Sequence, residues 1–276
     1  MNILVTLDSN YLTPLRTMLC SLFMNNPEEH FTVYVMHSRL KPAEVAALQQ
    51  FAGLFGSELA EVKVDAGCFQ DAPVLLHYPK EMYYRLLAYT LLPDSIERIL
   101  YLDPDILVIN PIAQLYHLDL GGHLYAAAHH FTASRAINQL RLSPYEIPHY
   151  FNSGVLLMNL VLQRERIKPQ QIYSFVDRFR MRLVMPDQDV LNALFGNQIL
   201  PIDEKLYNYD ARYYRLYRLL SGGVWDMRHV MEHTVILHFC GKKKPWHKDY
   251  RGRFHALYTH YAHLAERAVP PRLRNS

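Results

Sequence analysis

Apolar and polar positions switch between two periods along the first half of the chain, and the switching predicts strand–helix pairs in succession. Asn2–Leu7 is a mainly apolar run of strand length that stops at Asp8. Thr13-Pro14 then reads as a helix start, with Thr13 as N-cap and Pro14 at the first helical position. Leu15, Met18, Leu19, Leu22 and Phe23 follow at helical spacing and form its apolar face. Phe31–His37 is a second strand, Lys41-Pro42 opens a helix to about Phe51, and Leu59–Val64 is a third strand. Beyond a loop containing Pro73 and Pro79, Glu81–Leu92 reads as a helix carrying Tyr84, Arg85 and Leu87. This alternation predicts an α/β fold with a mostly parallel central sheet and helices on both faces.

The second half is less regular. Leu124–His130, Gly154–Asn159 and Val235–Phe239 look like strands, and Pro169–Met181 and Asp187–Phe195 like helices. Tyr207–Leu220 reads as one helix whose rings pack against the sheet, with an aromatic platform for a sugar as the sharper alternative. A last helix shows Phe254, Leu257, Tyr258, Tyr261 and Leu264 on one face and is expected to dock on the domain. Residues 1–276 are read as one domain: a nucleotide-sugar-binding half (1–110), a donor-sugar and acceptor half (111–250), and a C-terminal helix and tail (251–276).

The stretch Ile99–Ile109 carries the most chemistry. Asp103 and Asp105 stand two residues apart between apolar runs, so an extended backbone would aim both at one face. Pro104 ends the strand there. Like charges at the edge of a core imply a cation between them, so the pair reads as a divalent-metal site serving a phosphate-bearing ligand. Asp187-Gln188-Asp189 repeats the spacing at a helix start, where acidic residues simply complement the helix dipole. Asp8 and Asp103 both close predicted strands, which suggests a shared cleft at the carboxyl ends of the sheet.

His238 ends the strand Val235–Phe239 and precedes Gly241-Lys242-Lys243-Lys244-Pro245-Trp246. A strand-end histidine is usually structural, and three lysines are often a solvated turn. Together, though, a glycine that admits close backbone approach and lysines that neutralise phosphate suit a metal–phosphate site. Two carboxylates with one imidazole favour Mn²⁺, with Mg²⁺ as a possible substitute.

Composition narrows the class. Half of the 276 residues are hydrophobic, with 20 Tyr and 12 Phe, so a large core is available. The net charge of +3 is interspersed with acid, unlike a dedicated nucleic-acid protein. Cys20, Cys68 and Cys240 have no metal or redox spacing and are expected to be reduced thiols in a cytosolic protein. The N-terminal run is too short and uncharged for a signal peptide, and no apolar run reaches the roughly 20 residues of a membrane span. No Gly-x-Ser-x-Gly elbow or P-loop occurs.

Six segments in order resemble the retaining glycosyltransferases of family 8. They are Thr6–Tyr11, Tyr84-Arg85-Leu86, Tyr101-Leu102-Asp103-Pro104-Asp105, Tyr150–Asn159, Asp187–Asn192 and His238–Trp246, spread over nearly the whole chain. The resemblance implies a GT-A fold, a UDP-hexose donor and Mn²⁺. It implies that Asp103, Asp105 and His238 hold the metal, that Asp8, Asn10 and Tyr11 hold uridine, and that Gly241 and Lys244 hold the diphosphate. Arg85, Asn152, Asp187 and Gln188 would surround the donor sugar, with Gln188, Asp187 and Arg85 at the reacting centre. Leu7-Asp8-Ser9 stands where many bacterial relatives carry consecutive aspartates, so altered ribose contacts are expected. The tail stops soon after Pro270-Pro271-Arg272, where membrane-acting relatives continue with basic and aromatic residues, so at most peripheral membrane contact is expected.

The expected reaction is retaining transfer of glucose or galactose to a hydroxyl of a glycan or glycolipid, with a lipopolysaccharide or lipooligosaccharide core preferred. Two alternatives are a nucleotidyltransferase, which would release pyrophosphate, and a non-catalytic sugar-nucleotide or glycan-binding protein, which would never release UDP.

Overall fold

The computed structural model describes residues 1–64, 81–129, 140–145, 147 and 149–269, with the backbone alone at residues 81 and 82. Among the described residues ten strands fall in two sheets. The large sheet contains β1 (Asn2–Thr6), β2 (Thr32–His37), β3 (Glu58–Lys63), β4 (Arg98–Leu102), β6 (Tyr125–Ala128), β7 (Val155–Asn159) and β8 (Ile199–Ile202). Its order is β3-β2-β1-β4-β7-β6-β8. The small sheet orders β5 (Ile106–Val108), β10 (Ile236–His238) and β9 (Tyr209–Asp210) as β5-β10-β9. In the large sheet only β7 runs against its neighbours, β4 and β6, and the other pairs are parallel. The mostly parallel sheet expected from the alternation is therefore present.

The period-2 pattern sorts side chains to opposite faces. Leu4, Tyr101, Leu156 and Met158 enter a core beneath helices Glu81–Leu91, Leu160–Arg166, Pro169–Phe179 and Pro186–Phe195. Ile3, Val5, Leu100, Leu102, Val155 and Leu157 enter the other, beneath helices Leu12–Met24 and Pro42–Gly53. Full burial of each such side chain contributes roughly 1.5–3 kcal/mol, so both flanks of the Asp103–Asp105 corner are firmly anchored.

Several expectations need correction. The first long helix begins at Leu12, not after Thr13, and Thr13 is not its N-cap. The reason is a preceding 3₁₀ turn, Ser9–Tyr11, capped by Asp8, whose carboxylate accepts from the Asn10 N–H at 2.9 Å. Pro14 still falls within the first turn, where its missing N–H leaves nothing unpaired. Tyr207–Leu220 is not one helix. Tyr209-Asp210 pairs with β10 as a strand, a short 3₁₀ turn spans Ala211–Tyr213, and Tyr214–Leu220 alone is α-helical. Tyr209, Tyr214 and Tyr217 nevertheless pack into the core under the small sheet, as the blander reading held. β8 and the helices Leu160–Arg166 and Met227–His233 were not expected.

The C-terminal helix, His255–Ala268, does dock: it lies against Leu12–Met24, and Asn25 Nδ2 donates to Tyr261 Oη at 2.7 Å. The loop with Pro73 and Pro79, Cys68, His130 and the tail from Pro270 lie outside the described residues. Among the described residues no helix is long and apolar enough to cross a membrane.

Candidate active site

Asp103 and Asp105 occupy the corner where the chain leaves one sheet for the other. Asp103 N–H donates to Gly154 O at 2.8 Å, extending the β4–β7 ladder. Two residues on, Phe239 N–H donates to Asp105 O at 3.0 Å, which opens the β5–β10 ladder. The two carboxylates therefore converge across a seam between sheets, with Pro104 at the bend, and not along a single strand. His238, the last residue of β10, comes to the same seam from the other side.

One donor atom from each of Asp103, Asp105 and His238 lies within 4.8 Å of the others. Ligands about 2.0–2.6 Å from a shared cation stand at most about 5 Å apart, so the spacing fits one ion. His238 Nε2 is 3.4 Å from Asp105 Oδ1 and 3.8 Å from Asp103 Oδ2. Its Nδ1 meets Asn208 Oδ1 at 2.7 Å. With Nδ1–H donating to that amide, Nε2 is the nitrogen that faces the carboxylates, and a cation there would take the place of its proton. Asn208 is fully buried and in turn donates to Asn152 Oδ1 at 2.9 Å. Replacing Asn208 with Leu is expected to weaken Mn²⁺ binding ten- to hundredfold, read by calorimetric titration; unchanged affinity would deny the orienting role.

Charge is distributed unequally over the corner. Burial pushes the Asp103 carboxyl up, Arg85 opposes that, and Asp105 adds to it. Burial acts the same way on Asp105, but His238 and Lys244 outweigh it and hold this carboxylate well below its usual range. Burial disfavours a charge on His238, yet Cys240 and Asp105 overcome it and raise the imidazole well above its ordinary value. The Lys244 ammonium pairs with Asp105 Oδ2 and donates to Phe239 O at 3.0 Å. Its pKa is lowered by burial but raised further by Asp105.

Arg85 links this corner to the opposite wall. Its Nη1 lies 3.1 Å from Asp103 Oδ1 and 3.2 Å from Asp187 Oδ2, and donates to Ser153 O at 2.9 Å. Its guanidinium sits 4.4 Å from the Tyr101 ring centroid. Ser153 Oγ donates to Asp187 Oδ2 at 2.7 Å, and the Gln188 amide oxygen is 3.4 Å from both Asn152 Nδ2 and Ser153 N. Asp189 belongs elsewhere. It is fully buried and accepts from both Arg141 Nη atoms at 2.6 Å, from Tyr150 Oη at 2.5 Å, and from Val184 N at 2.8 Å. That set consumes its lone pairs in holding the helix start.

One cleft of about 560 Å³ is lined by nine of the expected residues: Arg85, Asp103, Asp105, Asn152, Asp187, Gln188, His238, Gly241 and Lys244. Asp8, Asn10 and Tyr11 do not line it. They follow the carboxyl end of β1, next to β4, and the Tyr11 ring meets Trp246 edge-on at 5.8 Å. Four residues escaped sequence reasoning as site components. Tyr101 donates to Asp103 Oδ1 at 2.5 Å, Asn208 orients His238, Ser153 binds Asp187, and Gly154 leaves the space that His238 and Asp103 occupy. Tyr101, Ser153 and Gly154 stood inside quoted motifs; Asn208 had no local signal.

The chain matches the family model described as Glycosyl transferase family 8 over residues 2–250. It is 28% identical over 269 residues to General stress protein A of Bacillus subtilis, covering 95% of this chain and 92% of that protein. It is 26% identical over 255 residues to a lipopolysaccharide 1,2-glucosyltransferase of Escherichia coli K12, covering 90% and 73%. The galactosyltransferase LgtC, solved with donor and acceptor sugar analogs, superposes with a TM-score of 0.82 at 23% identity over 100% of this chain and 99% of that one. A family match spanning the strands, the corner and the cleft sets aside the nucleotidyltransferase and non-catalytic alternatives: the chain belongs to glycosyl transferase family 8, as an enzyme with a GT-A fold.

Proposed function

We propose that the enzyme transfers glucose or galactose from a UDP-sugar to a hydroxyl of a cell-envelope glycan, with retention of configuration and with Mn²⁺. The observation that carries this reading is the three-residue metal corner facing Arg85, Asp187 and Gln188 across one cleft. The kinship with a lipopolysaccharide glucosyltransferase supports a lipopolysaccharide-type acceptor. Within this reading the enzyme works in the cytoplasm with at most peripheral membrane contact.

Asp103, Asp105 and His238 would hold the cation, which supplies Lewis acidity to the leaving diphosphate. Lys244 and Gly241 stand beside that corner and would bind the diphosphate, the lysine by charge and the glycine by backbone approach. Asp8, Asn10 and Tyr11 would hold the uridine at the end of β1. Asp187 would accept from a hexose hydroxyl and Asn152 would donate to one through Nδ2, since its Oδ1 already accepts from Gly154 and Asn208. Arg85 holds Asp187 in place and adds positive charge near the phosphate. A double-displacement route needs a nucleophile on the beta face. The residue proposed there is Gln188, whose amide oxygen is neutral and a poor nucleophile. Front-face attack follows: the acceptor hydroxyl approaches from the leaving-group side of a short-lived oxocarbenium-like ion pair, and its proton passes to the departing phosphate oxygen.

Release of UDP from a panel of UDP-sugars, with and without Mn²⁺, tests the donor assignment without knowledge of the acceptor. UDP-glucose or UDP-galactose is expected to be hydrolysed slowly and only with metal; hydrolysis of neither would overturn the proposal. Gln188→Ala is expected to keep activity within about tenfold of the parent, since it loses positioning but no bond-forming atom. Mass-spectrometric capture of a hexosyl adduct on Gln188 or Asp187 would exclude front-face attack.

A further inference from the structure

A second cavity, of about 660 Å³, opens behind the wall of the donor cleft, and the two share Arg212, Cys240 and Gly241. At that boundary Gly241 has φ +90° and no side chain; a Cβ there would stand 2.8 Å from Arg212 Nη1. Six cations line the second cavity: Arg212, Arg215, Lys242, Lys243, Arg251 and Arg253. Asp249 is the one carboxylate among its lining residues. This local surplus exceeds the +3 of the whole chain, so it is a concentration of charge and not a sample of a basic surface.

Two of the cations are already engaged. Arg212 forms a bidentate pair with Asp210, and Lys243 lies 3.8 Å from Asp249. Arg215, Lys242, Arg251 and Arg253 form no ion pair with any described carboxylate. Two of these are held in place all the same. Arg253 lies 4.8 Å over the Tyr214 ring, and Arg251 donates to the Lys248 and Tyr250 carbonyls at 3.2 Å. Gly252 permits this packing, because a side chain there would overlap the Tyr250 hydroxyl. Guanidinium groups lining one concavity raise the positive potential within it, and their forked donors match phosphate.

We propose that this cavity binds a phosphate group carried by the acceptor, so that the acceptor is a phosphate-bearing saccharide or polyol and not a neutral sugar. The inference rests on the glycosyl-transfer reading, because the cavity adjoins the donor cleft at Gly241. A concave site suits a phosphate carried on a saccharide or polyol of the acceptor better than the headgroups of a flat anionic lipid surface.

The test is calorimetric titration of the full chain saturated with UDP and Mn²⁺, which fills the diphosphate site. Glucose 6-phosphate, glycerol 1-phosphate and glucose are the probes. Glucose 6-phosphate is expected to bind at least tenfold more tightly than glucose, with the preference lost in 0.5 M salt and in the Arg215→Glu, Arg253→Glu double variant. Stronger binding of glucose 6-phosphate than of glycerol 1-phosphate assigns a phosphorylated glycan; equal binding assigns a polyol phosphate. Equal binding of glucose and glucose 6-phosphate by the parent chain overturns the proposal. So does a phosphate preference that survives in a folded double variant, or binding confined to phosphatidylglycerol vesicles. The salt arm needs no variant and stands if the double variant does not fold. A separate titration of UDP into the chain with Mn²⁺ separates the two readings, since phosphate preference without UDP binding would reject glycosyl transfer alone.

Discussion

Asp105→Ala is expected to lower hexosyl transfer by about three orders of magnitude and to abolish the gain in UDP affinity that Mn²⁺ provides. The carboxylate is 6% exposed and is the group on which His238 and Lys244 both converge. Its removal deletes one donor of the metal corner and leaves the half-buried Lys244 ammonium without its anion. A thousandfold loss corresponds to about 4 kcal/mol of transition-state stabilisation, within what a bound cation supplies to a leaving group. UDP titration with Mn²⁺ and with chelator, alongside steady-state rates, checks both parts. Activity within tenfold of the parent, or UDP binding that still responds to Mn²⁺, would show that the cation is not held here.

Gly154→Ala is expected to cost about a hundredfold in transfer while leaving the fold intact. Gly154 lies beside the corner, where its O closes the β4–β7 ladder. A Cβ on it would overlap the His238 ring and stand 2.6 Å from Asp103 Oδ2. Neither neighbour has room to move, because His238 is fixed by Asn208 and by pairing with Ile106, and Asp103 by Tyr101 and Arg85. Displacing ligands by a few tenths of an ångström loosens metal geometry far more than it loosens the sheet. Mn²⁺ affinity and thermal unfolding together test this. Gly122→Ala serves as the control, since nothing lies within 4 Å of its Cβ position. Parent-like Mn²⁺ affinity in Gly154→Ala would refute the steric account.

The fold was largely legible where neighbouring residues determine it. β1, β2 and β3 and the helices between them followed from runs and periods, because each such element buries one face over several turns or rungs. β9 was not legible: two residues make a strand only because β10 lies alongside. The start of the first helix was misplaced because Thr13-Pro14 is a strong local signal, and the Asp8-capped turn before it had already begun the winding. The second half was harder throughout, since its elements are short and set by packing against strands distant in sequence.

The site divides along the same line. The expectation that Asp103 and Asp105 share a cation, and that a glycine and lysines after His238 suit phosphate, came from charge and spacing in the chain itself. The role proposed for Asp187 came from family resemblance, since its spacing alone read as a helix-dipole residue. Residue order alone specifies which chemical groups are present and which strands end beside them. The packing of distant elements is what makes Asp103 and Asp105 bridge two sheets, aims His238 through Asn208, ties Asp189 to Arg141, and sets a cationic cavity beside the cleft. The physical reason is that periodicity reports a residue's own element, whereas convergence depends on the packing of elements far apart in the chain.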